Sequence, residues 1–239
     1  MSQMILYCFP HAGGSDAMYR SWADELAPEA EVRVLGRGPW AGAGAAAPTG
    51  PEPGSVPALA VACAERLSGE QRPFAFLGHS LGALIAFETA RELRRQGANG
   101  PHTLFASGHV APHLPSPGPE LAALPPAEFW HEVGLLGGTP TELAEHTELR
   151  EAAEPRLRAE FRAAESYRYT PGVPLDCRIV ALAGTEDDRA PVALADPWRL
   201  HTIGAFELEV VPGGHFFVAD SRERFLDRVR SRLVGVPLR

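Results

Sequence analysis

Phe74-Ala75-Phe76-Leu77-Gly78-His79-Ser80-Leu81-Gly82-Ala83-Leu84-Ile85 decides how the chain folds. Phe74 to Leu77 is a short apolar run of the kind that forms a buried strand, and Leu81 to Arg94 carries Leu84, Ile85, Glu88 and Glu92 at the spacing of an amphipathic helix. Only Gly78-His79-Ser80 joins them, and Gly78 to Gly82 reads G-x-S-x-G. A turn that tight is strained and closely packed, which calls for glycines on either side. It leaves the serine exposed at a helix start, where backbone N–H dipoles favour developing negative charge. Ser80 is therefore the candidate nucleophile; the alternative is that Gly78 and Gly82 merely shape a turn.

Outward from this unit the pattern repeats. Gln3 to Phe9 and Val32 to Leu35 read as strands separated by helix-like Asp16 to Leu26, Val56 to Leu67 reads as a helix, and residues 36 to 54 read as a long Gly/Ala/Pro-rich loop. Thr103 to Ala106, Arg178 to Ala183 and Glu207 to Val211 are further strands. Strands alternating with helices predict a mostly parallel sheet flanked by helices, an α/β fold. Residues 112 to 172 break the alternation: they begin with six prolines from Pro112 to Pro126 and continue helical without a strand, which predicts a lid inserted into a single domain spanning 1–239.

Composition excludes several classes. The 239 residues are 45% apolar and 22% charged, and 24 Gly with 23 Pro stay below the share at which disorder becomes the default. All 22 basic residues are Arg against 30 acidic ones, and a net charge of −8 argues against tracking nucleic acid by phosphate neutralisation. The uncharged apolar stretch Pro73 to Phe87 is too short and too polar to span a membrane. Met1 to Phe9 has no cationic leader, so the expected location is cytoplasmic. Cys8, Cys63 and Cys177 form no C-x-x-C pair and read as small hydrophobes.

A serine hydroxyl needs a neutral imidazole within reach and a carboxylate to orient it. In a strand-turn-helix setting of this kind the chain order is Ser, acid, His. His215, in Pro212-Gly213-Gly214-His215, follows the last strand and is selected over the other histidines by position. His79 and His11 read as core or surface residues, and Pro112 argues against a helix presenting His109 and His113 to a metal. For the acid, Asp187 in Gly184-Thr185-Glu186-Asp187-Asp188 is preferred over Asp188 and Glu186; the alternative is a solvated acidic turn. Backbone N–H groups for an oxyanion are expected from Leu81 and, in Phe9-Pro10-His11-Ala12-Gly13-Gly14, from Ala12.

These residues resemble a known family, the type II thioesterases, α/β-hydrolases that accompany polyketide and nonribosomal peptide synthases. The resemblance runs through Phe9 to Gly14, Tyr19 and Trp22, Gly78 to Ala83, Phe87-Glu88, Ser107-Gly108, Gly137 to Pro140, Arg158-Ala159-Glu160, Trp198 and Gly213 to Phe217. Members usually have Met at the position of Leu81, often Asp at that of Glu160, and a Pro-Gly-Arg segment where this chain reads Leu35 to Trp40. The family implies hydrolysis of acyl thioesters from the phosphopantetheine arm of acyl or peptidyl carrier proteins through Ser80, Asp187 and His215, without a cofactor. The same acyl-enzyme would serve a product-releasing hydrolase, cyclase or acyltransferase, and a non-catalytic binding module is a third reading. Arg150, Arg156, Arg158, Arg162 and Arg168 are candidates to meet an acidic carrier, against pairing with Glu151, Glu154, Glu160 and Glu165 on a solvated helix.

Overall fold

The structure, a computed structural model, describes residues 3–36, 54–137 and 146–233. Six strands, β1 (Met4–Phe9), β2 (Ala30–Val34), β3 (Phe74–His79), β4 (Thr103–Ser107), β5 (Arg178–Gly184) and β6 (Phe206–Val211), form one sheet in the order β2-β1-β3-β4-β5-β6. Every pairing is parallel. The strands between the edges are buried on both faces, which is why their sequences run apolar without alternating.

The side chains nevertheless divide with the two-residue period of a strand. Ile5, Tyr7, Phe9, Phe74, Phe76, Leu104 and Ile179 enter one core with α3 (Val56–Leu67) and α4 (Leu81–Arg95). Met4, Leu6, Cys8, Ala75, Leu77, Phe105 and Val180 enter the other, with Tyr19, Trp22, Phe217 and Phe225. Ser55 caps α3 by accepting the Ala58 N–H, and Pro57 sits in its first turn, where a missing N–H costs nothing.

One expected helix is two. Asp16 to Leu26 forms α1 (Asp16–Arg20) and α2 (Ala23–Leu26), because the Ser21 hydroxyl donates to Met18 O and closes the first helix locally. Tyr19, Trp22 and Leu26 still face the core together. Most of the expected loop over 36 to 54 lies outside the described residues, as do Gly138, Thr139 and Pro140.

Between β4 and β5 the described residues form no strand. They contain a 3-10 turn (Leu121–Ala123), α5 (Pro126–Leu136) and α6 (Thr147–Glu165). This insertion has its own apolar cluster of Leu121, Phe129, Val133 and Leu157. Arg158 fastens it internally: the guanidinium lies 4.1 Å from the Phe129 ring centroid, pairs with Glu154 and donates to Ala122 O and Leu124 O. Beyond β5 come α7 (Val192–Ala195), a 3-10 stretch (Asp196–His201), β6, α8 (Phe217–Asp220) and α9 (Arg222–Leu233). No helix among the described residues is long and apolar enough to cross a membrane.

The strand order fixes where ligands can meet the protein. From β1 the chain runs outward to β2 and then crosses to β3 on the other side, so the loops leaving β1 and β3 diverge at a crevice beyond the carboxyl ends of the strands. Phe9 is paired with Gly78 at that edge, and Gly184 with Val211. The loops carrying Ala12, Ser80, Asp187 and His215 thus all leave the same edge of the sheet.

Candidate active site

Ser80 occupies the turn between β3 and α4 with φ 54° and ψ −123°, the one non-glycine residue with positive φ among the described residues. Such a conformation costs of order 1–3 kcal/mol and persists only where the surroundings dictate it. They do so here: Ser80 N–H donates to Ser107 O at 2.8 Å, and Ser80 O accepts the Ala83 N–H at 2.9 Å. A Cβ at Gly78 would run into the Gly82 carbonyl, and one at Gly82 into the Phe9 carbonyl. Gly82→Ala is therefore expected to destabilise the fold by about 2–3 kcal/mol, lowering Tm by roughly 5–10 °C. An unchanged melting curve by circular dichroism would contradict this packing.

Against Ser80 stands His215, four residues beyond β6. Ser80 Oγ lies 3.2 Å from His215 Nε2, and His215 Nδ1 lies 3.0 and 2.9 Å from the two oxygens of Asp187. A carboxylate only accepts, so the proton sits on Nδ1 and leaves Nε2 free to take one from the serine. Asp187 is 3% exposed, whereas Glu186 and Asp188 are exposed. Its Oδ1 also accepts the Arg189 and Ala190 N–H groups, each at 3.0 Å, which turns the carboxylate inward. Leu81 opens α4, so its N–H is one of those left without an intrahelical acceptor. Ala12 lies in the adjacent turn, where Gly14 N–H donates to His11 O at 2.9 Å.

His79, His11 and His109 lie near this group without joining it. His79 is fully buried, its ring 5.2 Å from that of His215 and its Nδ1 3.0 Å from Ser107 Oγ. Burial, with His215 and His11 nearby, holds it well below the ordinary histidine range, so it stays neutral beneath His215. Burial likewise lowers His109 to about 4; its Nδ1 donates to Val110 O. His11 packs 4.9 Å from Phe216. His113 meets His201 at 2.7 Å, away from His109. Among the described residues no group of three or more His, Cys, Asp or Glu is placed to hold a metal ion.

Two contributors are named in the sequence reading without a role in the site. Ser107 holds the Ser80 backbone and the His79 ring; its place directly after an apolar strand and before Gly108 was the available signal. Glu160, on α6, accepts the Gly13 N–H at 2.6 Å across 147 residues, a pairing no local pattern encodes.

A parallel sheet with a strained serine after its third strand, then an acid and a histidine beyond later strands, defines an α/β-hydrolase. The comparison with known proteins narrows this: the thioesterase domain family matches residues 4–233, and the chain belongs to it. Its relatives include type II thioesterases of nonribosomal peptide and polyketide pathways, and this chain is a serine hydrolase acting on thioester bonds. It is similar to the thioesterase PikA5 of Streptomyces venezuelae, 36% identical over 98% of this chain and 82% of the relative. The solved thioesterase RedJ, from the prodiginine biosynthetic pathway in Streptomyces coelicolor, is 33% identical, covers 95% of this chain and 89% of its own, and gives a TM-score of 0.83. Linear gramicidin dehydrogenase LgrE of Brevibacillus parabrevis is 37% identical over 97% of this chain and 88% of the relative. In this chain β1 leads into Pro10-His11-Ala12-Gly13-Gly14 rather than the G-x-G-x-x-G turn of a dinucleotide fold.

Proposed function

We propose that the chain removes acyl groups from the phosphopantetheine arm of acyl or peptidyl carrier proteins, clearing misloaded or stalled synthase modules. The observation that carries this reading is His215 bridging the Ser80 hydroxyl and the buried Asp187 carboxylate. Ser80 Oγ attacks the thioester carbonyl and passes its proton to His215 Nε2. The resulting oxyanion is met by the N–H groups of Leu81 and Ala12, and Asp187 stabilises the imidazolium. Collapse expels the pantetheine thiolate, which takes the proton from His215 and leaves an acyl-Ser80 ester. Water, deprotonated by His215, attacks that ester and releases the free acid with Ser80 restored. The products are one acid and one thiol for each thioester and water consumed, and no step calls for a cofactor.

The α5–α6 insertion serves as the lid over this centre in the proposed reading, and the protein works in the cytoplasm beside the carriers it serves. Neither nucleic acid nor a membrane is a partner. Carrier proteins are typically acidic, so at −8 the bulk charges repel and docking rests on a local patch. Of the insertion's arginines, Arg158 is engaged internally and Arg156 pairs with Glu160. Arg168 donates to the Glu165 and Tyr167 carbonyls with its side chain at the surface, and Arg162 is exposed.

An acyl group on a carrier should be cleaved with kcat/KM at least about tenfold above the same group on a simple thiol, because binding of remote parts orients the reacting carbon. Arg162→Ala or Arg168→Ala should raise KM for the carrier substrate and spare the small thioester. Steady-state kinetics on the matched pair test both. Equal kinetics on the two substrates would return the protein to a general esterase.

A further inference from the structure

Ala12 is proposed as an oxyanion donor, and beyond Phe9 its loop has left the strand pairing of the sheet. The loop is a four-residue turn: His11 O accepts the Gly14 N–H, and Gly13, the third residue, has φ +75°. A left-handed third residue distinguishes this turn from the commoner type, and the two differ by a flip of the central peptide, here Ala12–Gly13. Because peptides are trans, the His11 carbonyl engaged inside the turn sends the Ala12 N–H out on the opposite side. The flip leaves that N–H where it is within the turn, so its aim depends on where the turn as a whole is held.

The insertion supplies the restraint. Glu160 on α6 is 0% exposed, and its Oε2 accepts the Gly13 N–H at 2.6 Å, gripping the very peptide whose flip would change the turn. Its Oε1 is 3.0 Å from Arg156 Nε, and the Arg156 side chain is 62% exposed. A buried carboxylate is costly unless hydrogen-bonded and paired, and both conditions are met at this one place. Leu157, on the same face of α6 one turn earlier, lies against the same residue, so that a Cβ at Gly13 would come within 3.0 Å of Leu157 Cδ1. Ala12 packs against the insertion's apolar cluster as well.

We infer that Glu160 is a positioning residue: through the Gly13 N–H it holds the oxyanion loop in its donating position and so ties oxyanion stabilisation to the seating of the insertion. The inference rests on the Ser80 hydrolase reading above. An insertion displaced from the loop releases Gly13, and the enzyme then binds substrate without stabilising the tetrahedral state.

Glu160→Met keeps the side-chain length and removes the acceptor, and Glu160→Gln keeps an acceptor oxygen. In Glu160→Met, kcat should fall roughly 10- to 100-fold, less than the loss of an oxyanion donor outright, with KM moving less than about threefold. Binding of an alkylboronic acid, which forms a tetrahedral adduct with serine, should weaken in step with kcat/KM, while a non-cleavable thioether analogue binds as before. Glu160→Gln should recover most of kcat and of boronate affinity. If circular dichroism finds the Met variant unfolded, Glu160→Ala takes its place with the same readouts. A folded variant with kcat within about twofold of the unmutated enzyme, a Gln variant as impaired as Met, or equal weakening of the thioether and the boronate would each overturn the inference. Failure of the underlying reading shows elsewhere, as turnover retained by Ser80→Ala with Glu160 intact.

Discussion

Ser80→Ala should abolish thioester cleavage, with turnover falling by about 10⁴-fold or more, while the circular dichroism spectrum and melting curve stay those of the unmutated protein. The hydroxyl points to His215 and holds no part of the core; the strained turn is maintained by backbone contacts with Ser107 and by Gly78 and Gly82, none of which the substitution touches. A fluorophosphonate should label Ser80 and no other serine, and the label should be lost in the variant. Retained cleavage, or labelling at another serine with activity intact in the variant, would remove Ser80 from the mechanism.

Asp187→Asn is the second large effect, and its size follows from how the carboxylate is held. Oδ1 is fixed by two backbone N–H groups, from Arg189 and Ala190. An asparagine would keep its oxygen there and turn its NH2 toward His215 Nδ1, where Asp187 Oδ2 now lies at 2.9 Å. Facing a donor, Nδ1 must become the acceptor, the proton moves to Nε2, and the histidine can no longer take the Ser80 proton. Turnover should drop by roughly 10³–10⁴-fold. Asp188→Asn, at an exposed position, should change it by less than about threefold. Stopped-flow or steady-state measurement of thiol release on the two variants decides it: equal losses, or the larger loss in Asp188→Asn, would place the acid elsewhere.

The sequence was legible wherever burial imposes a short-range pattern. β1, β3 and β4 are covered on both faces and therefore read as unbroken apolar runs, and G-x-S-x-G between a strand and a helix reports a clash that only glycine avoids. Boundaries were less legible: β3 runs on through Gly78 and His79 because pairing with β4 extends past the apolar residues, and β6 begins one residue early at Phe206, paired with Ile179. The split of Asp16 to Leu26 was hidden because Tyr19, Trp22 and Leu26 keep a helical spacing across the break. Glu160 was hidden for a different reason. On a helix as rich in Glu and Arg as α6, it looks like one more solvated charge paired with Arg156, and only the tertiary approach of Gly13 distinguishes it.

The Glu186, Asp187, Asp188 run shows the same division. Three consecutive carboxylates at a strand end are equivalent by composition. The turn beyond β5 separates them by sending one side chain inward to two backbone N–H groups and His215 and leaving its neighbours in water. Position along the chain narrowed the choice to this loop, and the fold of the loop brings Asp187, of the three, to His215.

In the proposed function Ser80 hydrolyses acyl groups borne on a carrier's phosphopantetheine arm. Intact-protein mass spectrometry of a panel of acylated carrier proteins incubated with the enzyme tests it most directly. The expected result is loss of the acyl mass to leave the free-thiol carrier and one equivalent of the corresponding acid, with no loss in the Ser80→Ala sample. Acyl-carriers left at full mass under conditions where the same enzyme preparation cleaves a small thioester would contradict it.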